Sequence, residues 1–379
     1  MIYLDNSATT RPHPSVLESF QQVTQRYFAN PSSIHHLGGE SEQLLMSARK
    51  QVADILNVKE DEVIFTSGGT EGDNIALKGI ALEHQNRGKH IITSDIEHPA
   101  VYETCQNLEK LGFEITFLPV NKNGMISLKE LEQAIRKDTI LISIMHVNNE
   151  IGAIQPIEEI GKIAKRYPKL YFHVDDVQGL GKVPLDLKDS GVDLCTFSGH
   201  KIHGLNGTGV LYVKKGTSLF PLHHGGNQER DIRSGTENLA GAVSCAKALR
   251  LIKDQEQKEK KKLIDMHHYL RDQLEQIEGV YINTPKEAAP HILNMSVPGL
   301  KPEVVIHMLS EQNIYISTKS ACSSKVLDES RIVKALGYSR ERASSALRVS
   351  LSYDNTMEDI KTFIKVFKET IDQLKSVLQ

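Results

Sequence analysis

Apolar positions recur at helical spacing at Val16, Phe20, Val23 and Tyr27, and again at Leu45, Ala48, Val52 and Ile55, which predicts two amphipathic helices near the start of the chain. Short continuous apolar runs follow at 63–65, 91–92, 115–117, 140–145, 170–174, 194–197 and 210–213. Several are separated by helix-length segments such as 128–136 and 157–166. Strands apolar on both faces, alternating with helices, build a mostly parallel sheet covered by helices on both sides. From about residue 238 to 277 the pattern is one long helix, including the charged run Lys258-Glu259-Lys260-Lys261-Lys262, which reads as a solvated helix face. After Gly279 strands at 292–297, 314–317 and 347–351 interleave with helices at 302–309, 331–336 and 357–378. The expected fold class is therefore α/β: a large domain over residues 15–256 with a seven-stranded, mostly parallel sheet, and a smaller α+β domain formed by 1–14 and 257–379. No internal repeat, low-complexity tract or Pro/Gly/Ser-rich linker interrupts this plan.

Composition narrows the class of partner. The 379 residues carry a formal net charge of -3 with 25% charged residues, so no global field argues for nucleic acid or membrane as the main partner. No apolar run approaches the roughly 18 residues of a membrane span, and residues 1–5 lack a charged leader before an apolar stretch, so a soluble, cytoplasmic protein is expected. Four cysteines, Cys105, Cys195, Cys245 and Cys322, are widely spaced without a C-x-x-C pair, which argues against a disulfide framework and against a zinc knuckle. The 16 histidines are dispersed, and the adjacent pairs point in different directions, so no metal site is expected.

In a sheet of this kind ligands bind beyond the carboxyl ends of the strands. Thr66, His98, Asn149, Asp175 and Ser198 fall there. Lys201, in Ser198-Gly199-His200-Lys201, lies downstream of a strand closed by Asp175 and followed by Gln178. A lone lysine is most often a solvated surface residue. A lysine with an acid at the end of a buried strand is an arrangement that holds pyridoxal phosphate, the amine forming the Schiff base and the carboxylate pairing with the ring nitrogen. The glycine-rich turn Ser67-Gly68-Gly69-Thr70-Glu71-Gly72 precedes a helical pattern, and a helix N-terminus offers free N–H groups to a phosphate; a plain tight turn explains those glycines equally well. His98 is suited to stack on a ring and move protons. The amides of Asn149 and Gln178 are suited to a ring hydroxyl or a substrate, or to loop capping.

The segments YLDNSATT, NPSSIH, SGGTEGDN, EHPAV, MHVNNEIGAIQPI, HVDDVQ, SGHK, RSGTEN, SACSS and LRVSL resemble, in order and nearly end to end, the NifS/IscS-like cysteine desulfurases, which are class V, fold-type I pyridoxal-phosphate enzymes. The resemblance implies that Lys201 is the Schiff-base lysine, Asp175 the ring-nitrogen partner and His98 the stacking acid/base. Gln178 and Asn149 would contact the ring oxygen, Asn149 also the substrate. Gly69, Thr70, Ser198 and His200 would hold the phosphate, joined by Thr236 from the second subunit of a homodimer. Arg348 would clamp the carboxylate of L-cysteine through its paired donors. Cys322, in a small polar loop between Lys319 and Lys325, would be the nucleophile, enriched in thiolate by those cations. The implied reaction removes the α proton, returns a proton, and passes the substrate sulfur to the Cys322 thiolate, leaving alanine and a persulfide. That sulfur would go to an iron–sulfur scaffold protein or a tRNA-thiolating enzyme, without direct contact to nucleic acid.

Three departures stand out. Asp176 follows Asp175 where these enzymes usually have a small residue, Lys319 replaces a usual glycine, and HGLNGTG replaces the commoner GPKGxG after the lysine. A lean toward a dedicated tRNA-thiolation partner follows from the unusual loop and glycine region. The rival readings are a selenocysteine lyase, a class V aminotransferase with no need of Cys322, and a sulfur-relay scaffold without catalysis.

Overall fold

In the computed structural model, which describes residues 1–318 and 329–378, each of the seven apolar runs becomes a strand of one sheet. The chain opens with β1 (Ile2–Tyr3), α1 (Pro14–Arg26) and α2 (His36–Leu56), then runs β2 (Val63–Thr66), α3 (Gly69–His84), β3 (His90–Ser94), α4 (Pro99–Glu109) and β4 (Glu114–Leu118). It continues through α5 (Leu128–Ala134), β5 (Thr139–Met145), α6 (Ile157–Ala164), β6 (Tyr171–Asp175), β7 (Leu194–Ser198) and β8 (Gly209–Val213). Among the described residues the seven-stranded sheet has the order β2-β8-β7-β6-β5-β3-β4. Only β8 runs against the others, pairing antiparallel with both β2 and β7. The ends of β2, β3, β5, β6 and β7 therefore open on the same edge. Strands β2, β3, β5, β6, β7 and β8 are buried at nearly every position, as expected of strands covered on both faces.

The helix α7 (Leu239–Glu275) is unbroken for 37 residues, so the boundary expected at 256/257 falls inside it. Beyond it come β9 (Tyr281–Ile282), β10 (Ile292–Ser296), α8 (Pro302–Glu311), β11 (Ile314–Tyr315), α9 (Arg331–Ala335), α10 (Arg340–Ser344), β12 (Ala346–Ser350) and α11 (Met357–Leu378). β12, β10 and β9 form an antiparallel sheet, and β1 pairs parallel with β11. The N-terminal strand thus belongs with the C-terminal part of the chain. Within the charged run, Lys258 and Lys261 are exposed, whereas Lys262 donates to the Tyr353 carbonyl at 2.7 Å and fastens α7 to the segment after β12.

The helical stripe read at the start of the chain is only half inward. Val16 and Val23 of α1 are buried, but Tyr27 is exposed, and Leu17, Phe28, Ile34, Leu37 and Met46 of α1, α2 and their connection also face outward. The opposite side of α2 carries Arg49 into the core. Its guanidinium holds Glu229 with two bonds of 2.8 Å and donates to the Val63 carbonyl at 2.6 Å, while Glu229 also accepts the Phe65 N–H at 2.9 Å. Glu229, Arg230 and Asp231 all have left-handed φ values of 44, 58 and 63°. Each such residue costs on the order of 1 kcal/mol, so the buried pair is what keeps the turn in place. Glu229→Ala leaves the Arg49 charge buried without its counter-charge and should remove about 3 kcal/mol of stability. Urea denaturation checks this, and a change below about 1 kcal/mol would show that the pair does not hold the turn.

Candidate active site

The common edge of the sheet is a pocket. Its wall includes Gly69, Thr70, His98, Asn149, Asp175, Gln178, Ser198, His200, Lys201 and Arg348, so ten of the twelve residues expected at the site come together. Thr236 does not: it is exposed in the connection before α7 and is absent from the lining. Cys322, with Lys319 and Lys325, lies outside the described residues.

Local chemistry explains how each group arrives. β7 ends at Ser198, and the next residue must be glycine, because a Cβ on Gly199 would stand 2.2 Å from Thr208 Oγ1. The chain can then turn tightly through 199–201, closed by the Ile202 and Gly204 amides on the Gly199 carbonyl, and swing Lys201 back over the strand ends. The Lys201 ammonium donates to the carbonyls of Ser7 and Ala8, the latter at 2.7 Å. Asp175, the last residue of β6, accepts the Val177 N–H at 3.0 Å. Burial pushes its carboxyl up to about 6, with the Asp176 charge adding to the rise and Val177 N–H and Lys201 opposing it. Gln178 Nε2 donates to the Ser7 carbonyl at 3.0 Å.

His98 is the N-cap of α4, its Nδ1 accepting the Ala100 N–H at 3.1 Å, with Pro99 pre-setting the first turn. Burial, and then the charges of Lys201, Arg331 and Arg348, lower its pKa to about 4, so the imidazole is neutral near neutral pH. Burial and Lys201 do the same to His200, also to about 4. Arg348 comes from β12, in the other sheet, and is almost fully buried. It donates to the Asn149 carbonyl at 2.7 Å and to Asp5 Oδ1 at 3.0 Å, while its Nε has no partner.

Several members of the site were not legible as candidates. Asp5, Ser7 and Ala8 come from the segment after β1, Asp73 from the first turns of α3, and Glu97 from the turn before His98. Glu97 and Asp73 are carboxyls buried beside Asp175. Burial drives Asp73 upward, with Asp175 and Glu97 adding to it. Glu97 is raised from 4.5 to about 8, again first by burial, although it accepts from Ser94 Oγ at 2.6 Å and Met145 N–H at 3.1 Å. Asp73 stands in the second turn of α3 and Glu97 in the turn between β3 and α4, positions at which an acid is ordinarily solvated, so no pattern in the sequence marks either.

A pyridoxal phosphate fits these residues. The Ser198 hydroxyl is buried without a partner beside the start of α3. That 16-residue helix has no side-chain cap, so the N–H groups at its very start are left for an anion. Space is tight enough there that a Cβ on Gly69 would approach Val177 to 2.9 Å. Cations, a carboxyl at a strand end and two neutral imidazoles complete a set suited to a phosphorylated, electron-poor ring. No group of three His, Cys, Asp or Glu side chains that could hold a metal ion occurs among the described residues, and none of the described helices is long and apolar enough to cross a membrane.

The family model described as aminotransferase class-V matches residues 2–363. The chain is 47% identical over 380 residues to a NifS/IcsS protein homolog of Lactobacillus delbrueckii subsp. bulgaricus, covering 100% of this chain and 99% of that one. It is 44% identical over 378 residues to a cysteine desulfurase IscS of Dictyoglomus turgidum, covering 99% and 96%. A solved structure of a NifS-like protein superposes with a TM-score of 0.92 at 38% identity, covering 98% and 99%.

The Glu97 carboxyl gives a test of the buried electrostatics. Because its folded pKa lies above the unfolded 4.5, the folded state keeps a proton that the unfolded state has lost, and the stability this proton brings is full below 4.5 and is lost as pH rises through about 8. Glu97→Gln removes that dependence. Its stability relative to the parent should rise by more than about 1 kcal/mol between pH 5 and pH 8 in denaturant titrations; an equal difference at both pH values would mean that Glu97 does not hold the proton.

Proposed function

The chain belongs to the class-V aminotransferase family, within its NifS/IscS cysteine desulfurases, and on that premise we propose which of its residues run the reaction. It is a pyridoxal-phosphate-dependent enzyme that converts L-cysteine to L-alanine and hands on the sulfur. The observation that carries the assignment of roles is the meeting in one pocket of Lys201 from the turn after β7, Asp175 from the end of β6, His98 from the N-cap of α4 and Arg348 from the middle of β12.

Lys201 holds the cofactor, Asp175 keeps a proton at its ring nitrogen, and neutral His98 lies against the ring. Gly69, Thr70, Ser198 and His200 hold the phosphate, and Asn149 and Gln178 meet the ring oxygen. When bound, the cofactor supplies an electron sink for the bond broken at the α carbon of the amino acid. Arg348 binds the substrate carboxylate. Its unpartnered Nε and its bonds to Asn149 and Asp5 support that role, since a guanidinium fixed on two sides offers its remaining donor edge without further loss of freedom. Cys322 takes the sulfur as a persulfide. The polar, lysine-flanked surroundings of Cys322 in the sequence support this, as does the state of the other cysteines: Cys105, Cys195 and Cys245 are buried, and burial pushes all three thiols far up.

Two further parts of the reading concern partners. We assign a homodimer in which Thr236 completes the phosphate site of the neighbouring subunit. Thr236 is exposed and stands apart from the pocket of its own chain, and the outward apolar residues of α1 and α2 need cover. The sulfur acceptor is an iron–sulfur scaffold or a tRNA-thiolating enzyme, in the cytoplasm, with the departures at Lys319 and HGLNGTG in the sequence favouring a dedicated tRNA-thiolation partner. The division into a large unit over 15–256 and a smaller one over 1–14 and 257–379 accords with the grouping of β1 with β11.

Lys201→Ala should abolish the visible cofactor band, whereas Cys322→Ala should keep the band and lose alanine formation from L-cysteine by at least about a thousandfold. Retained turnover by Cys322→Ala with an amino donor and a keto acid would replace the desulfurase assignment of Cys322 by an aminotransferase. Mixing Lys201→Ala with Thr236→Ala chains should restore activity that neither has alone, because one site in the mixed dimer is then intact. A mixture as inactive as its parts would remove Thr236 from the neighbour's site. Loading Cys322 with labelled sulfur and offering both acceptor classes should favour tRNA-thiolating enzymes, and equal transfer to both would defeat dedication.

A further inference from the structure

Behind the pocket wall, on the side facing α7, a second group of ionisable side chains is buried. Asp176 follows the last residue of β6, and successive residues of an extended chain point to opposite sides. Asp175 accordingly lines the pocket while Asp176 is buried with a different set of neighbours. Its Oδ1 accepts a hydrogen bond from His146 Nδ1 at 2.6 Å, both side chains being almost fully buried. Lys182, also buried, donates to the carbonyl of Lys201 at 2.9 Å. Lys253 of α7 shares a cavity wall with Asp176 and binds Glu256 at 2.6 Å. Room for the pair depends on one glycine, since a Cβ on Gly179 would stand 2.1 Å from Asp176 Oδ1 and 2.5 Å from His146 Nδ1.

A buried ion pair is weak evidence for stability, because desolvation offsets its attraction. This one does something more specific. The His146 amide donates to the Asp175 carbonyl at 2.8 Å, and His146 accepts the Gln155 N–H at 2.8 Å, so His146 heads the segment that carries Val147 and Asn149 into the pocket. The side-chain bond to Asp176 closes a second link between the same two strand ends. We propose that Asp176 is a positioning residue for the cofactor: bonded to His146, it locks together the strand ends that bear Asp175 and Asn149, and it keeps a fixed negative charge behind the carboxylate that faces the ring nitrogen.

The inference rests on the assignment of Asp175 to that nitrogen. His146, Lys182 and Lys253 face Asp176, while Asp73, Glu97 and Lys201 face Asp175. The Asp176 charge adds to the rise that burial imposes on Asp175, against Val177 N–H and Lys201. A negative charge there favours the protonated form of the ring and of its link to Lys201, so its removal should make both give up their protons at lower pH.

The cofactor-loaded protein provides the test. Asp176→Asn keeps the size and an acceptor for His146 but deletes the charge; Asp176→Ala deletes both. In Asp176→Asn the pH midpoint of the visible cofactor band should fall by about one unit with cofactor affinity in equilibrium dialysis little changed. In Asp176→Ala the same fall should come with at least about tenfold weaker cofactor binding. A midpoint in Asp176→Asn equal to the parent's would overturn the inference, whatever happens to thermal stability. Asp175→Asn, run in parallel, separates the two levels. If it shifts the band and weakens binding while Asp176→Asn does neither, the inference alone falls; if it leaves both unchanged, the assignment of Asp175 falls and the inference with it.

Discussion

The pocket's two cations have to be satisfied before any substrate arrives, and one short segment does it for both. Asp5 takes the Arg348 guanidinium, and the carbonyls of Ser7 and Ala8 take the Lys201 ammonium. The same Ser7 carbonyl accepts Gln178. A guanidinium as buried as Arg348 would be strongly destabilising without such partners. The segment is itself sewn in from both sides: Asn6 and Ser7 bond to Ser350, the last residue of β12, and Thr10 bonds to the His200 carbonyl in the turn that carries Lys201. Residues 5–10 therefore tie the small sheet to the turn that carries Lys201, and the distance between Arg348 and Lys201 is set by the bonds of this strap.

Around the cations the protein keeps one buried acid and two imidazoles neutral. Burial drives Glu97 to about 8 and the two imidazoles His98 and His200 to about 4, so near neutral pH the acid is protonated and the histidines are not. Asp175, near 6, is the carboxyl whose proton sits closest to balance. This arrangement leaves the field in the pocket to be written by few charges. A phosphate at the uncapped start of α3 then meets helix dipole and free N–H groups instead of competing anions.

The elements of the large sheet were legible because strands covered on both faces are continuously apolar, and each of the seven runs stands out against its polar surroundings. The strand-end rule then located Asp175, Ser198, Asn149 and His98 without knowledge of the strand order. What escaped was of two kinds. Ser7 and Ala8 act through backbone carbonyls, which no side-chain pattern reports, and they meet Lys201 across 194 and 193 positions of sequence. Asp73 and Glu97 are acids whose importance comes only from what surrounds them, since the same residues on a helix start or in a turn are ordinarily solvated. Asp176 lay between these cases: its oddity next to Asp175 was visible, but the partner that explains it, His146, sits on another strand end.

The long helix α7 limits how the pocket can open. It buries Leu249 and Ile252 before residue 256 and Leu263, Met266, Leu270 and Leu274 after it, and all of these belong to one continuous apolar cluster that also contains Val16 of α1 and Phe363 and Phe367 of α11. Domains move freely against each other where their interface is small and polar. Here the interface is core. Lys262 and Tyr353 add a cross-tie, since Lys262 donates to the Tyr353 carbonyl and the Tyr353 hydroxyl donates to the Gly181 carbonyl, next to Lys182, which bonds to the turn that carries Lys201. A swing large enough to part Arg348 from Lys201 would have to break that cluster as well as the 5–10 strap, at the expense of many buried side chains at once. The spacing of Lys201 and Arg348 is therefore tied to the packing of the core itself, and a change in it is opposed by the whole cluster.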